Sequence, residues 1–404
     1  MTEAFLMNER YQETRTPISP TVTDEQAATR VDRAQTELKH GRAILLVDRD
    51  EAGRAAAEAG WVVVAVEALT PPRLRWLSEL GAPVQLLLTT ERALALGLKN
   101  GLPGLLGARS VLLSLPADVT LDAVSGMAAV TPSGIPPLEA LPMSAVDESL
   151  SPRRSRSMDS ALQLAKRARL TPALLVVEAR PVAMQALLDE QLLWVSSDDV
   201  SHMQGRGASS LRRVSDAQVP IAAHEDCELV LFREEQGGAE HVAIIVGHPD
   251  FSQPVPVRLH SSCLTGDLLG SLRCDCGDQL RRAIERLAET GGVLLYLEQE
   301  GRSIGLANKL RAYRLQDEGL DTIDADRYLG FAADDRDYGA AVAMLKSLGI
   351  AQIRLMTNNP KKIAAMEAGG IEVVERLALH GPVNSHNARY IETKQERAGH
   401  LKPE

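Results

Sequence analysis

Short apolar runs, separated by stretches with helical spacing, are the feature that most constrains how this chain folds. ILLV at 44–47, VVVAV at 62–66 and VQLLLT at 84–89 have strand character, and RLRWLSEL at 73–80 is typical of a helix between two of them. Such runs build sheets that helices cover, and they are far shorter than the ~20 apolar residues of a membrane span. The sequence therefore predicts an α/β (α+β) fold without a transmembrane segment.

The length of the chain predicts two domains, each a mixed sheet with flanking helices. A chain of 404 residues with 45% hydrophobic residues is long enough for two cores. Only 3% of the residues are aromatic, so these cores must consist of Leu, Val, Ile and Ala. We expect a flexible N-terminal extension at 1–35, a first domain at 36–200 and a second domain at 206–404. The polar, glycine-containing string SHMQGRGASS at 201–210 marks the boundary between the domains.

Within the first domain, a helix over 159–169 and a strand over 173–177 follow a Pro- and Ser-rich stretch. That stretch ends in the basic string SPRRSRS at 151–157, which we interpret as a solvated loop. In the second domain, CELVLF, HVAIIVG and VPVRLH alternate or run apolar as antiparallel strands do. From Asp278 onward, helices alternate with the strands VLLYL and IRLMT.

The charge of the chain limits its partners. The formal net charge of −10 disfavours non-specific attraction to nucleic acid or to acidic lipid. A local cluster of Arg and Lys still allows an anionic substrate. The first 35 residues lack a basic segment followed by an apolar one, so they do not predict a secretion signal. We therefore expect a cytoplasmic protein that binds neither nucleic acid nor membrane.

Three of the four cysteines, Cys263, Cys274 and Cys276, are spaced C-x10-C-x-C. In a reducing cytosol such a cluster more often binds a metal or acts in catalysis than forms a disulfide. Three thiolates and one water are the arrangement of a catalytic zinc, which lowers the pKa of that water to about 7. A fourth ligand from His260 or from Cys227 would instead close a structural zinc site, and free thiols are a third interpretation.

Several strings are suited to phosphate. EGR at 300–302 follows the strand VLLYL, where α/β sheets place ligand loops. TNNPKK at 357–362 places a hydroxyl, two amides and two lysines at the start of a helix, which favours an anion. FAADDRD at 331–337 and Arg258 add further charge. Each feature alone is typical of a solvated surface, but together with a metal candidate they indicate a polyphosphate substrate beside a metal-activated water.

From about residue 211 to its end, the chain resembles the GTP cyclohydrolase II family. The matching strings stand in the order of the family: RLHSSCLTGD, LRCDCGDQL, QEGRSIGLANKLRAY, DTIDA, LGFAADDRDY, LMTNNPKK and ETKQERAGHL. The resemblance implies a homodimeric enzyme that opens the imidazole ring of GTP at zinc and releases formate and pyrophosphate, in the first step of riboflavin biosynthesis. Mg²⁺ on the triphosphate is expected on general grounds.

The resemblance also implies a role for each matching position. Cys263, Cys274 and Cys276 would hold zinc, Asp334 would accept a proton, and Tyr313 would be needed to complete the reaction. Arg336 would be the nucleophile at the α-phosphorus, although a guanidinium is a poor nucleophile and could instead stabilise charge on the phosphate. The implied GTP contacts are Arg258, Leu259, His260, Ser261, Ser262, Gln279, Glu300, Gly301, Arg302, Thr322, Thr357 and Lys362.

Two positions depart from the pattern of the family. Ser262 stands where many members have Glu, and Glu298 stands where Arg is common before QEGR. Neither departure removes a metal ligand or a main catalytic role.

The first half resembles 3,4-dihydroxy-2-butanone 4-phosphate synthase, with its chemistry erased. The resemblance rests on RVDRAQTELKHGRAILLVDRDE, LLLTTERALALGL and DSALQLAKRARLTPALLVVEA. The dense acidic loop of that family is reduced to Asp48, Asp50 and Glu51 in this chain. Where the family has a His-Thr-Glu-Ala string, the histidine falls at Ser157 and the glutamate at Asp159. We expect this domain to be folded but catalytically inactive.

Two alternatives remain at this stage. The chain could be a zinc-stabilised regulatory or binding module with a non-catalytic GTP site, although Asp334, Arg336 and Tyr313 favour the enzyme. It could also be a related cyclohydrolase that stops at a formamide, although Tyr313 favours the complete reaction.

Overall fold

The computed structural model describes residues 22–49, 55–97, 108–128, 143–146, 152–189, 191–205, 211–235, 238–332 and 336–402. In these ranges the chain forms two seven-stranded mixed sheets with flanking helices, which confirms the predicted fold class. The strands are β1 Ile44–Arg49, β2 Ala55–Ala65, β3 Gln85–Thr89, β4 Ser110–Ser114, β5 Met143–Val146, β6 Ala173–Ala179, β7 Trp194–Ser196, β8 Leu211–Gln218, β9 Cys227–Glu234, β10 Glu240–Val246, β11 Val255–Ser261, β12 Gly292–Leu297, β13 Gln352–Met356 and β14 Glu372–Leu377.

The helices flank these strands on both sheets. They are α1 Val22–Lys39, α2 Pro71–Glu79, α3 Thr90–Ala95, α4 Leu121–Ala128, α5 Pro152–Arg167, α6 Pro181–Asp189, α7 Ser197–Gly205, α8 Cys276–Thr290, α9 Gly305–Asp317, α10 Thr322–Tyr328, α11 Gly339–Ser347, α12 Pro360–Ala368 and α13 Ala388–Glu396. No helix in the described part of the chain is both long and apolar enough to cross a membrane.

The first sheet has the strand order β5-β4-β3-β6-β2-β1-β7, and only the β1–β7 pair is parallel. Its strands are apolar on both faces because helices cover both. Leu86 and Leu88 of β3 pack into one aliphatic core and Leu87 packs into the other, as the two-residue repeat of a strand requires. This sheet is therefore the middle layer between two aliphatic cores.

The second sheet has the order β14-β13-β11-β12-β10-β9-β8. The neighbours among β14, β13, β11 and β12 are parallel. The pairs β12–β10, β10–β9 and β9–β8 are antiparallel. The antiparallel prediction holds for β9 with β10 but is wrong for VPVRLH, because β11 pairs in parallel with both β12 and β13. Helix α8 provides the crossover from β11 to β12 that a parallel pair needs. The carboxyl ends of these four parallel strands thus meet at one edge.

The prediction of a flexible extension at 1–35 is wrong for its last part, because α1 begins at Val22. Ala28, Val31, Ala34 and Leu38 repeat with helical spacing and are all buried in the second aliphatic core of the first sheet. Small apolar residues among Thr, Glu and Gln are enough to bury one helical face. Residues 1–21 of the predicted extension lie outside the described residues.

The interpretation of SPRRSRS as a solvated loop is also wrong, because residues 152–157 form the first turns of α5. Ser155 and Ser157 face inward and are 5% exposed. The arginines next to these serines remain at the rim. Arg154 lies over the ring of Trp61 and Arg156 pairs with Asp198. Long arginine side chains thus let a basic string enter a packed helix while their charges stay near water.

Candidate functional site

A cavity of about 400 Å³ opens at the carboxyl ends of the parallel strands. The segments that follow β11, β12 and β13 contribute Cys263, Gln299 and Thr357 to its wall. Open α/β sheets bind ligands at this edge, because side chains from successive strand ends converge there. The sheet topology therefore brings together segments that lie about 100 residues apart in the chain.

The three clustered cysteines meet in this cavity. Their Sγ atoms all lie within 4.8 Å of one another, and the Sγ atoms of Cys263 and Cys274 are 3.8 Å apart. Tetrahedral zinc, with Zn–S bonds of about 2.3 Å, places two thiolates about 3.8 Å apart. Within the described part of the chain, the group of ligand atoms includes only these three residues, and neither His260 nor Cys227 belongs to it. The donor set fits zinc.

A single π-helical turn, Leu264–Leu268, folds the chain closely around the cysteines. At Gly266, a Cβ atom would lie 3.0 Å from the Sγ atoms of both Cys263 and Cys274. The backbone N–H of Gly266 also donates to Cys263 Sγ at 3.3 Å. A side chain at this position would crowd both sulfurs, so the close approach of the turn favours glycine.

Lys309 is a cation at the cysteine cluster that the sequence patterns did not single out. Its Nζ atom lies 3.0 Å from Cys263 Sγ and 2.7 Å from Glu300 Oε1. Hydrogen bonds from Cys274 and Cys276, together with Lys309, lower the pKa of Cys263. Donating to Cys263 raises the pKa of Cys274 to about 11. The cluster therefore stabilises thiolate at Cys263, and thiolate is the form of cysteine that binds metals.

Asp267 holds the loop of the cluster in place. Its carboxylate accepts from the backbone N–H of Cys263 at 2.9 Å and from Tyr296 Oη at 3.0 Å, and it bonds to His260 Nε2 at 3.0 Å. His260 is 3% exposed, and its Nδ1 has no hydrogen-bond partner in the part of the chain that the structure describes. Nδ1 is thus a buried polar atom at the edge of the cavity, beside the loop that carries Cys263.

Cations form another part of the cavity wall, among them Arg258, Arg302, Arg336 and Lys362. Arg258 donates to the carbonyl oxygen of Met356 at 2.9 Å and to Gln279 Oε1 at 2.6 Å. Burial lowers the pKa of Arg258 to about 10, which still leaves it charged at neutral pH. The cations of this wall favour an anionic ligand, although the chain as a whole is acidic.

Burial and the positive charge of the cavity lower the pKa values of two of its histidines. Burial, together with the cations Lys394, Arg336, Lys362 and Arg302, lowers the pKa of His400 to about 3. Burial also lowers the pKa of His260, and Arg258 and Lys362 add to the effect although Asp267 opposes it. Both rings therefore stay neutral near pH 7, so the charge of the wall comes from its arginines and lysines.

Most of the residues predicted from sequence line the cavity. These are Arg258, His260, Ser261, Ser262, Cys263, Cys274, Cys276, Gln279, Gly301, Arg302, Tyr313, Thr322, Arg336, Thr357 and Lys362. Leu259 and Glu300 do not line it. The side chain of Leu259 is buried in the sheet core, and only its carbonyl oxygen faces Lys362 Nζ, at 2.6 Å. The predicted proton acceptor Asp334 lies outside the described residues.

The C-terminal segment closes one side of the cavity, and the sequence patterns gave it no role. Tyr390, Lys394, Arg397 and His400, on and after helix α13, line the cavity. Lys394 is anchored by Asp275, which lies between two of the cysteines, with an Nζ to Oδ1 distance of 2.8 Å. The string ETKQERAGHL was part of the resemblance, but only the fold brings it to the cysteine cluster.

Comparisons with known proteins show which proteins the chain is similar to. A family model described as GTP cyclohydrolase II matches residues 212–378, which confirms the resemblance over that region. The chain is 44% identical to the GTP cyclohydrolase-2 of Azospirillum brasilense, over 94% of this chain and 95% of that protein. It is 32% identical to the riboflavin biosynthesis protein RibBA of Phocaeicola vulgatus, over 92% of this chain and 96% of that protein.

Among solved structures, a two-domain 3,4-dihydroxy-2-butanone 4-phosphate synthase from A. baumannii aligns with 87% of this chain and 99% of its own length. The sequence identity is 18% and the TM-score is 0.32. That similarity is too low to support an argument about structure or activity.

Proposed function

Because the chain belongs to the GTP cyclohydrolase II family, we propose that it opens the imidazole ring of GTP by zinc-dependent hydrolysis. The products are formate, pyrophosphate and 2,5-diamino-6-(5-phospho-ribosylamino)pyrimidin-4(3H)-one, and the reaction is the first step of riboflavin biosynthesis. One observation carries the proposal: a single cavity is lined both by three clustered cysteine thiols and by a wall of arginine and lysine side chains. The enzyme acts in the cytoplasm as a homodimer.

Cys263, Cys274 and Cys276 would hold the zinc. When bound, zinc supplies a Lewis acid that brings the pKa of water down to about 7. Around it, Lys309 balances negative charge on the thiolates and Asp267 fixes the loop that carries Cys263. The role of these two residues is to keep the donor atoms in place while the ring of the substrate is opened.

The cationic wall binds and orients the triphosphate. Arg258, Arg302 and Lys362 are held by bonds to Gln279, to Asp326 and to the carbonyl oxygen of Leu259, respectively. Side chains held in this way lose little freedom when a phosphate replaces water, so more of their attraction appears as binding. Mg²⁺ is expected to accompany the triphosphate, as it does in other nucleotide sites.

Arg336 lies on this wall, with its guanidinium 5.7 Å from the centre of the Tyr338 ring. Lys362 lies 5.6 Å from the same ring. The proposal places Arg336 at the α-phosphorus, either as the nucleophile or as a charge that stabilises the departing pyrophosphate. Asp334, two residues earlier in the chain, is proposed as the proton acceptor.

Tyr313 leads to a prediction about the end product. It lines the cavity near the cysteines, and burial raises the pKa of its hydroxyl, so the hydroxyl stays protonated at neutral pH and can donate a proton. We expect purified protein with GTP and zinc to yield the fully deformylated pyrimidinone, as measured by mass analysis of the products. A formamide as the sole end product would refute this role of Tyr313 and favour a cyclohydrolase that stops early.

The alternative is a zinc-stabilised regulatory or binding module with a non-catalytic GTP site. The presence of Arg336 and Tyr313 in the same cavity as the cysteines favours the enzyme. Loss of GTP absorbance with release of formate, in the presence of zinc, distinguishes the two. Tight GTP binding without formate would leave only the binding module.

The sequence of the first half resembles 3,4-dihydroxy-2-butanone 4-phosphate synthase, and we propose that this half has lost the activity of that synthase. That chemistry needs carboxylates to hold Mg²⁺ and groups that move protons on a sugar phosphate. Ser157, where the resemblance places histidine, is 5% exposed and lies within helix α5. A serine cannot replace imidazole as an acid or base near neutral pH. Asp50 and Glu51 of the reduced acidic loop lie outside the described residues.

We therefore expect no formate from ribulose 5-phosphate and Mg²⁺ when GTP is absent. The measurement is a formate assay on the purified full chain, with GTP as the positive control on the same preparation. Clear turnover of ribulose 5-phosphate would overturn the proposal that this half is catalytically inactive.

A further inference from the structure

Helix α9 contacts two parts of the molecule with two different faces. Lys309 and Tyr313, four residues apart, face the cavity and its cysteines. Asn308 and Arg311, three residues apart, face away from the cavity toward the first half of the chain. Residues three or four apart lie on one side of a helix, so these two pairs mark two different sides. The helix that brings two cavity residues to the metal ligands is thus also an interface helix.

The contact between this helix and the first half is a charged network. Glu67, which follows strand β2, receives two hydrogen bonds from Arg311, at 2.8 Å and 3.1 Å. Glu67 Oε2 also accepts from the backbone N–H and the hydroxyl of Thr171, at 3.0 Å and 3.2 Å. A bidentate pair of this kind fixes direction as well as distance. Burial raises the pKa of Glu67, but these hydrogen bonds outweigh it and keep the pKa below its usual value.

Asn308 completes the network on the side of the helix. It is 0% exposed and donates to the carbonyl oxygen of Arg169 at 3.0 Å and to that of Ile304 at 2.9 Å. Its Oδ1 accepts from Arg311 at 2.7 Å. A buried amide that bonds to both halves fixes the position of α9 along the helix axis, because a shift of the helix along that axis would break these bonds.

The two halves also approach closely at glycines. A Cβ on Gly305, which has φ +84°, would lie 3.0 Å from the Cβ of Arg169. A Cβ on Gly330 would lie 2.8 Å from Thr89 Oγ1 and 2.9 Å from the ring of Pro172. Close packing at the first residue of α9 and just after α10 leaves these elements little room to move.

A fully buried arginine joins the halves beside α10. Arg92 is 0% exposed, and it donates to the carbonyl oxygens of Tyr328 in the second half and Met127 in the first. Its guanidinium also lies 4.8 Å from the centre of the Tyr328 ring. Helix α10 carries Thr322 and Asp326 to the cavity. Both helices on this side of the cavity therefore rest on the first half.

We propose that the first half of the chain positions the active-site helix α9, with Glu67 and Thr171 as positioning residues that act through Arg311 and Asn308. The proposal rests on the proposed function and gives a role to a half that has no chemistry of its own. Neither residue touches the cavity, so each acts only through the helix. A displacement of about 1 Å in a catalytic group can cost about a hundredfold in rate. The network would prevent such a displacement of Lys309 and Tyr313.

The test compares Glu67→Ala with Glu37→Ala in the full chain. Glu37 forms a bidentate pair with Arg42 within the first half. Its replacement therefore removes a similar ion pair but leaves the contacts of α9 intact. We expect Glu67→Ala to lower kcat for GTP by about tenfold or more, with KM within about twofold and zinc content unchanged. Glu37→Ala should leave all three quantities unchanged. Equal kcat values for the two variants would overturn the proposal, as would a fall in zinc content that accounts for the loss.

Two further variants decide the matter if Glu67→Ala does not fold. Thr171→Val removes one hydroxyl and no charge, and we expect a smaller fall in kcat of about threefold. These two variants, Thr171→Val and Arg311→Ala, are then combined in a double-mutant cycle. The double variant should lose no more rate than the more affected single variant, because the two residues act as a unit. Additive losses, or a Thr171→Val variant with unchanged kcat, would contradict the positioning role. Absence of GTP turnover in the unaltered chain would instead refute the proposed function.

Discussion

Replacing Cys274 with serine is expected to empty the metal site and to abolish formate release from GTP. The three Sγ atoms lie within 4.8 Å of one another, and serine does not replace a thiolate as a zinc ligand. Loss of even an outer partner of a metal ligand costs about 10- to 100-fold. Loss of a ligand itself should therefore lower the rate by more than about a hundredfold. Metal analysis of the purified protein and a formate assay measure the two effects.

The fourth cysteine provides the matched control. Cys227 is also fully buried, but it lies on strand β9 and its thiol donates to the carbonyl oxygen of His224. Cys227→Ser should keep about one zinc per chain and near-normal formate release. Full metal occupancy and a normal rate in Cys274→Ser would contradict the assignment of the three cysteines to catalytic zinc. Loss of zinc in Cys227→Ser would indicate a fourth ligand and a closed site.

Replacing Arg336 with alanine is expected to remove pyrophosphate release and nearly all turnover while zinc stays bound. Arg336 lies on the cationic wall and is not part of the group of metal-ligand atoms. Removing one preorganised group that stabilises developing charge costs about 10²- to 10³-fold in rate. A pyrophosphate assay and a zinc determination on the same preparation measure the separation of the two effects. Near-normal pyrophosphate release would rule out both proposed roles of Arg336.

A lysine at this position separates the two roles. Arg336→Lys keeps a positive charge but removes the guanidinium nitrogen that would form a bond to phosphorus. Partial recovery of turnover relative to alanine, with no nucleotide bound to the lysine by mass analysis of the intact protein, would favour charge stabilisation. A rate as low as that of alanine would favour the nucleophile. Arg354→Ala is a matched control, since Arg354 pairs with Glu375 on the neighbouring strand and does not line the cavity. We expect that variant to keep its activity.

The two variants should fail in different ways because the two residues belong to different groups in the cavity lining. Cys274 belongs to the group of three cysteines that could hold a metal, and Arg336 is a cation outside that group. Cys274→Ser should remove zinc, whereas Arg336→Ala should leave zinc bound and remove the chemistry at phosphate. If both variants lost zinc to the same degree, the site would be acting as one structural unit, and the proposed division of roles would be wrong.

The local sequence pattern was sufficient to predict many of the strands and helices of the fold. The runs ILLV, VQLLLT and VLLYL all lie in strands, and Gly291 ends helix α8 with φ 70°. Apolar runs and helix stops act over a few residues, so the sequence alone carries them. Such patterns failed where distant packing decided the outcome. The helices at 22–39 and 152–167 begin in polar or basic strings because their inward faces find an aliphatic core.

The sequence by itself determined the donor chemistry of the site, namely three thiols at C-x10-C-x-C spacing and arginines and lysines in recognisable strings. These are properties of residue type and order, which a fold can only arrange. Only the tertiary structure decided which residues share the cavity. It placed Lys309 and Lys394 close to the cysteine cluster, turned the side chain of Leu259 into the core, and placed Glu67 against Arg311, 244 residues away. Contacts between residues so far apart depend on how sheets and helices pack, which no local spacing encodes.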